Sequence, residues 1–445
     1  MHKIKQIKQP IRASITIPAD KSISHRALIL SAIATGTTEI NNFLYSNDTL
    51  ATFSCLQELG VKIKYDKLRA VVTIAGEGKY FPSRDKVNLF AAESGTTMRI
   101  LPGVLVGQPF ASQINAAAAL CRRPMRRIVD PLSLMGADIK ARKENDEFYA
   151  PLSIFPVSEL KGVSYAMKVS SAQVKSCIML AALYAQGPTE IVEPSISRDH
   201  TERMLGFFNA NIKKRANKIN VQQSQLKSPK NIYIPGDISS AAFFIALAVL
   251  LPDSQITMEK VSMNPSRCGF IDCLKKMGAD IQLRNKTDYF EPYADIVASS
   301  SQLKGISIDP QQVPLMIDEV PILLVCAAFA QGTTIINGVK ELIVKETNRI
   351  ESMVSNLRKA GIDIEAVARD DDWLIKVNAK GSDFVRRQDG NINFKSFADH
   401  RTAMSLIVFS MASGGDNYID QLKCIDKSFP DFLKIVKLLK SDAIS

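Results

Sequence analysis

The sequence is poor in the residues that several chemistries require. Aromatic side chains make up 7% of its 445 residues, with a single tryptophan, Trp373. Nucleic-acid binding draws on clustered Lys and Arg interleaved with stacking aromatics, and here most cations are dispersed, so no nucleic-acid partner is expected. The four histidines (His2, His25, His200, His400) stand far apart. No HExxH or Cys/His ligand spacing occurs, so no metal site is expected. Seven cysteines, an odd number without a CxxC pair, point to reduced thiols of a cytoplasmic protein rather than a disulfide framework. The longest apolar run, around 241–252, falls short of the ~20 residues a bilayer span needs, so no membrane association is expected. The first residues, MHKIKQIKQP, hold no apolar stretch of the secretory kind. The patterns GxxxxGK[ST], GxGxxG and GxSxG are all missing, which leaves P-loop, dinucleotide and nucleophile-elbow chemistry without support.

What is present is a positive balance and an internal beat. The formal charge is +11, with 46% hydrophobic and 23% charged residues. That composition fits a globular chain of two to four domains, at ~100–200 residues each, with a cationic pocket for anions. An apolar helix-like run ending in a small-residue turn and a strand recurs six times. It reads LILSAIATGTTEI, ILPGVLVGQPFASQI, IMLAALYAQGPTEI, FFIALAVLLPDSQITM, ILLVCAAFAQGTTII and LIVFSMASGGDNYI. A second element, a helix end, a turn residue and a strand, follows in phase: ELGVKI, LMGADI, FFNANI, KMGADI and KAGIDI. Gly60, Gly136, Asn209, Gly278 and Gly361 are then left-handed C′ residues, a position Gly fills and Asn can substitute. Repeats on this scale predict an α/β chain of six units.

The first helix of each unit is strongly apolar and should be buried. Polar residues gather at its start: DKSISHR, ESGTTMR, SSAQVKS, GDISS, IDEVP and FADHR. Helix N-termini carry free N–H groups and partial positive charge, so they attract anions; each Ser or Asp here is equally suited to a simple N-cap. RRPMRR (122–127) adds four Arg, whose forks grip carboxylates and phosphates. In VKETNR a helix would put Lys345 and Arg349 on one face, with Glu346 beside them. KSFPDF reads as a helix start preceded by Pro. The inventory is one of Lys, Arg, Asp and Glu, suited to acid–base chemistry on anionic substrates.

Together these segments resemble the family of 3-phosphoshikimate 1-carboxyvinyltransferases, also called EPSP synthases. The resemblance runs through PADKSISHRALILSA, SGTTMR, RPM, SSAQVKS, SRDHTERM, IPGDISSAAFF, MNPSRCGFIDCLKKMGADI, IDEVPILLVCAAFAQG, VKETNRI, ADHRTAM and KSFPDF, in family order. It implies the two-lobed enolpyruvyl transferase fold (an inverse α/β barrel) of six βαβαββ repeats, three per lobe. The first lobe would span 19–236; 1–18 plus 237–445 would form the second, with helix starts facing a cleft between them. The implied reaction transfers the enolpyruvyl group of phosphoenolpyruvate to the 5-hydroxyl of shikimate 3-phosphate and releases phosphate, by a cytoplasmic monomer without cofactor.

The resemblance also assigns residues. Lys21, Ser22, Arg26, Ser171, Ala172, Gln173, Arg198, Asp318 and Lys345 would hold shikimate 3-phosphate. Lys21, Gly95, Arg123, Gln173, Arg349, Arg401 and Lys427 would hold phosphoenolpyruvate. Lys21, Asp318 and Glu346 would be catalytic, Asp318 taking the 5-hydroxyl proton and Glu346 protonating the methylene carbon. The chain departs from the family pattern at Ala19, at Ala92–Glu93, at Ala116, Ala117 and Ala119, and at Ile343. A left-handed Ala19 would cost roughly 1 kcal/mol, and Glu93 would repel an anionic donor. A catalytically weakened ligand-binding paralogue is the alternative these changes raise. A UDP-N-acetylglucosamine enolpyruvyl transferase, suggested by Cys121 near Arg123, is the more distant one.

Overall fold

A computed structural model describes residues 1–82, 86–369, 372–387 and 391–441. The chain forms two compact units, Ala19–Pro235 and Met1–Pro18 with Gly236–Ser445.

Strand pairing follows one plan in both units. In the 19–235 unit, Lys86–Phe90 lies parallel to Ala111–Asn115, which pairs antiparallel with Glu147–Phe155 and, beyond it, Asp138–Glu144. Ser164–Ala166, Thr189–Val192, Lys218–Val221 and Ile212–Arg215 repeat that order. In the other unit Ser307–Ile308, Gln331–Asn337, Asp372–Lys380 and Asp363–Arg369 do the same. Parallel neighbours cannot be joined by a tight turn, so a buried crossover helix links the first two strands each time.

The remaining sheets borrow a strand from distant sequence. Ala34–Asn41 finds its parallel partners in Leu226–Lys227 and Asn231–Tyr233, at the end of its own unit. In the other unit Gln255–Ser262 lies parallel to Arg12–Thr16, and His2–Lys5 pairs with Asp416–Ile419. The first 18 residues therefore belong with the C-terminal unit, because two of its sheets need them as strands.

The crossover helices are Lys21–Ala32, Gly95–Ile100, Ala172–Ala182, Ile238–Leu250, Val320–Ala328 and His400–Ala412. Every residue of the last three is buried. A helix that is apolar all round has no face to offer water, and each enclosed Leu, Ile or Phe contributes about 1.5–3 kcal/mol relative to exposure. Five of the six begin at a side-chain cap: Asp20, Ser94, Ser171, Asp237 and Asp399 each accept from a backbone N–H of the first turn. Glu319, ahead of the fifth, makes no such cap.

The second apolar run is not one helix. It divides into Gly95–Ile100 and Pro102–Leu105, because Pro102 has no N–H to continue the ladder. The second segment packs backbone to backbone: a Cβ on Gly103 would lie 2.1 Å from the Cys177 carbonyl oxygen. The five C′ residues are all left-handed, from Gly278 at φ 100° to Asn209 at φ 62°. Ala19 is not; its φ lies outside the left-handed region, so the strain expected there does not arise. Among the departures from the family pattern the left-handed one is Ala92, at φ 48°. No described helix is long and apolar enough to cross a membrane.

Ala92→Gly should therefore stabilise the protein by about 0.5–1 kcal/mol, the relief of left-handed strain exceeding the added freedom of the unfolded chain. Urea midpoints at constant m-value test this; an unchanged or lower midpoint would show that Ala92 is not strained.

Candidate functional site

In the 19–235 unit, one buried helix start gathers three of the expected residues. Asp20 caps the helix through Ile23 N at 2.9 Å and leaves Lys21 and Ser22 as its first two residues. Lys21 Nζ is 2.9 Å from Asp48 Oδ2, so its ammonium is already oriented. Arg26, one turn on and buried, spends all its nitrogens. Nε donates to Thr201 Oγ1 at 2.6 Å, Nη1 to the Ser22 carbonyl at 2.9 Å and Nη2 to Ser176 Oγ at 2.8 Å. Arg26 thus ties the first helix start to the third helix and to His200–Phe207.

The third start, Ser171–Ala172–Gln173, is half-buried, and Ser171 caps Val174 N. Gln173 Nε2 donates to Thr96 Oγ1 at 3.2 Å, which brings it beside the second start. There a Cβ on Gly95 would lie 3.5 Å from Arg123 Nη1 and 2.7 Å from Arg99 Nη1. Of the four clustered Arg, Arg123 alone approaches Gly95. Arg122 and Arg127 are exposed, and Arg126 pairs with Asp146 at 2.7 Å. Glu93 is exposed on the turn ahead of Ser94.

Behind the third start, Lys175 is fully buried. Its ammonium is 2.8 Å from Glu193 Oε2, 2.7 Å from Glu202 Oε1 and 3.3 Å from the Ser197 carbonyl. It thereby anchors the segment that carries Arg198, which sits half-buried ahead of the helix His200–Phe207.

The other unit assembles a second set. Arg349 is 2% exposed and meets three carboxylates: Nε donates to Asp399 Oδ2 at 2.9 Å, Nη1 to Asp318 Oδ1 at 3.2 Å and Nη2 to Glu346 Oε2 at 2.6 Å. Arg401 donates to the Asp318 carbonyl at 3.2 Å and lies 3.7 Å from Glu319 Oε1. Glu319 in turn accepts from Ser239 Oγ, and the buried Arg267 reaches Ser239 Oγ at 2.5 Å and Asp237 Oδ1 at 3.3 Å. Asp399 is held by backbone strain, since Phe397 and Ala398 before it are both left-handed, at φ 55° and 56°.

Lys345 is 3.9 Å from Glu341, and Lys427 ends the short helix Leu422–Lys427, half-buried. The helical pairing of Lys345 with Arg349 does not occur. Asn348 caps a helix that begins only at Arg349, so Lys345 and Glu346 precede it, and Glu346 folds back onto the guanidinium.

Charge follows geometry. Loss of water would raise the Glu346 carboxyl, but the Arg349 guanidinium and His400 outweigh it and hold Glu346 well below its ordinary value of 4.5. Burial would lower Arg349, and Glu346, Asp399 and Asp318 together hold it above its ordinary value. Glu202 shifts the other way: burial raises it, and Lys175 and Lys214, which pull it down, offset only part of that.

Asp48, Thr201, Ser176, Arg267, Glu319 and Asp399 were not among the expected site residues. Their signal was weak, since each acts by holding another side chain. All but Asp48 did lie inside quoted motifs: Ser176 in SSAQVKS, Thr201 in SRDHTERM, Arg267 in MNPSRCGFIDCLKKMGADI, Glu319 in IDEVP and Asp399 in FADHR.

The family model of EPSP synthase (3-phosphoshikimate 1-carboxyvinyltransferase) matches residues 5–436. A 3-phosphoshikimate 1-carboxyvinyltransferase of Thermoanaerobacter sp. (strain X514) is 42% identical over 433 residues, 97% of this chain and 98% of that one. The solved EPSP synthase of Acinetobacter baumannii is similar with TM-score 0.88 at 39% identity, covering 98% of this chain and 97% of that one. The enolpyruvyl transferase NikO of Streptomyces tendae, at 14% identity and TM-score 0.76, covers 98% of this chain and 96% of that one and shares the fold.

The Lys175 trio yields a signed pH effect. A carboxyl whose folded pKa is raised adds stability below the ordinary value of 4.5, and that stability is lost as pH rises through the folded value. The stability difference between wild type and Glu202→Gln should therefore shift toward the variant as pH rises from 4.5. Urea unfolding across that range tests it; a difference independent of pH would place the proton elsewhere. Lys175→Met, which takes from two buried carboxylates the ammonium they share, should cost about 3–5 kcal/mol.

Proposed function

Since the chain belongs to the EPSP synthase family, we propose that the two sets of side chains divide the work of that family's reaction between them. The reaction transfers the enolpyruvyl group of phosphoenolpyruvate to the 5-hydroxyl of shikimate 3-phosphate and releases phosphate, in the shikimate pathway of aromatic amino-acid biosynthesis. Both substrates are multiply charged anions, so cations fixed in advance at helix starts stabilise them without reorganisation. In this reading the two units are the two lobes, each of three repeats, and the enzyme acts as a cytoplasmic monomer. Seven unpaired cysteines support the compartment.

The observation that carries the reading is Arg349, held by Asp318, Asp399 and Glu346 at once. Three carboxylates around one guanidinium suit a site that exchanges one of them for a substrate carboxylate. When the donor's carboxylate takes Nη2, Glu346 loses its nearest cation and its pKa rises. Glu346 then takes up a proton from solvent and delivers it to the methylene carbon, and the donor's central carbon becomes cationic. Asp318 accepts the 5-hydroxyl proton as that oxygen attacks the same carbon, giving a tetrahedral ketal. Return of a methyl proton to Glu346 and departure of phosphate, protonated by Asp318 or Lys21, restores the double bond. Lys21, Arg26, Ser22, Ser171, Ala172, Gln173, Arg198 and Lys345 hold the acceptor. Lys21, Gly95, Arg123, Gln173, Arg401 and Lys427 hold the donor with Arg349. Ala92 and Glu93 leave Gly95 and Arg123 adjacent, which supports an active enzyme over a weakened paralogue.

Phosphate release should require both substrates together; release from phosphoenolpyruvate alone, or none with both, would overturn the reading. Asp318→Asn and Glu346→Gln should each lower kcat at least about 100-fold with the fold intact. The alkaline pKa in kcat, which reports the ternary complex, should lie above that in kcat/KM, which reports enzyme with Glu346 still paired. Equal values would show that Arg349 does not let go of Glu346.

A further inference from the structure

Four buried polar side chains connect three helices of the 19–235 unit, and the reaction described above uses none of them. His25 Nδ1 is 2.7 Å from Thr52 Oγ1, Thr52 Oγ1 is 2.7 Å from Thr97 Oγ1, and Thr97 Oγ1 donates to Ser94 Oγ at 2.9 Å. They come from Lys21–Ala32, Asn47–Glu58 and Gly95–Ile100 with its cap. All four are fully buried.

The last bond sets the direction of the others. A hydroxyl carries one hydrogen, and that of Thr97 goes to Ser94. Thr97 must then accept from Thr52, and Thr52 must accept from His25. His25 is therefore the neutral Nδ1–H tautomer. Burial drives its imidazole down to about 3, with Lys21 and Arg26 pushing the same way and Asp48 opposing, which agrees with neutrality. Its Nε2 has no hydrogen-bond partner among the described residues. A buried, unpaired ring nitrogen costs about 1–3 kcal/mol, and a leucine would fill the space without that loss. Stability alone does not account for a histidine here.

The chain of hydroxyls ends where the donor-binding reading begins. Ser94 caps the helix that starts at Gly95, beside Arg123. Resting on that reading, we propose that His25 is a positioning residue for the enolpyruvyl donor: through Thr52 and Thr97 it locks the Ser94 hydroxyl, and with it the Ser94–Gly95 turn beside Arg123. The same helix carries Lys21 and Arg26 at its acceptor-facing start. The relay thus fixes the spacing between the first helix and the second helix start from inside the core.

The test is steady-state kinetics in each substrate for His25→Leu, His25→Asn, Thr97→Val, Thr97→Ser and Arg123→Ala. Asn can place an N–H where Nδ1 stands, and Ser keeps the relay hydroxyl. His25→Leu and Thr97→Val should raise KM for phosphoenolpyruvate about 10-fold, the equivalent of one lost hydrogen bond, with KM for shikimate 3-phosphate changed less than about twofold. The Asn and Ser variants should return to within about threefold of wild type. Equal changes in both KM values, or none while Arg123→Ala weakens the donor, would overturn the proposal. If Arg123→Ala also leaves the donor's KM unchanged, it is the donor-site reading that fails. Should His25→Leu not fold, the Thr97→Val and Thr97→Ser pair decides. Nitrogen-15 NMR of the wild type provides a readout without activity: neutral Nδ1–H is expected, and an Nε2–H tautomer would break the relay.

Discussion

A cation taken out of water must be surrounded by acceptors, and that requirement organises this protein around its polar groups. Arg349 meets it with Asp318, Asp399 and Glu346, Arg26 with two hydroxyls and a carbonyl, and Lys175 with Glu193 and Glu202. Each solution draws at least one acceptor from a helix or loop other than the cation's own. The pairing therefore does two things: it makes burial of the charge tolerable, and it fixes the relative places of segments far apart in sequence.

The apolar helices make this arrangement possible. Ile238–Leu250, Val320–Ala328 and His400–Ala412 bury every residue. At five of the six buried helix starts Asp20, Ser94, Ser171, Asp237 and Asp399 satisfy the first N–H groups. In the C-terminal unit the two left-handed residues before Asp399 show that the backbone is bent to bring a carboxylate to Arg349. The arrangement around Arg349 is held by opposing charges, which keep Glu346 a carboxylate.

Strand exchange accounts for the division of the chain. Arg12–Thr16 precedes the first buried helix in sequence but completes a sheet of the C-terminal unit. Asn231–Tyr233 precedes the fourth buried helix but completes a sheet of the 19–235 unit. Each unit lacks one parallel strand at its beginning and obtains it from chain that has just come from, or is about to enter, the other.

Periodicity alone determined the burial of the crossover helices and the left-handed turns at Gly60, Gly136, Asn209, Gly278 and Gly361, because these are local properties of backbone and hydropathy. The motifs determined the family. Local pattern failed where a single residue interrupts it: Pro102 split a run that reads as one helix, and Asn348 started a helix too late to include Lys345. Sequence also located strain at Ala19, whereas the structure has left-handed alanines at Ala70, Ala92, Ala216 and Ala398, since φ is set by the surrounding packing. Tertiary structure alone decided which carboxylate meets which cation. Asp48 for Lys21, Asp399 for Arg349 and Glu193 for Lys175 are separated from their partners by tens of residues or by a turn of chain, and only folding brings them within hydrogen-bond distance.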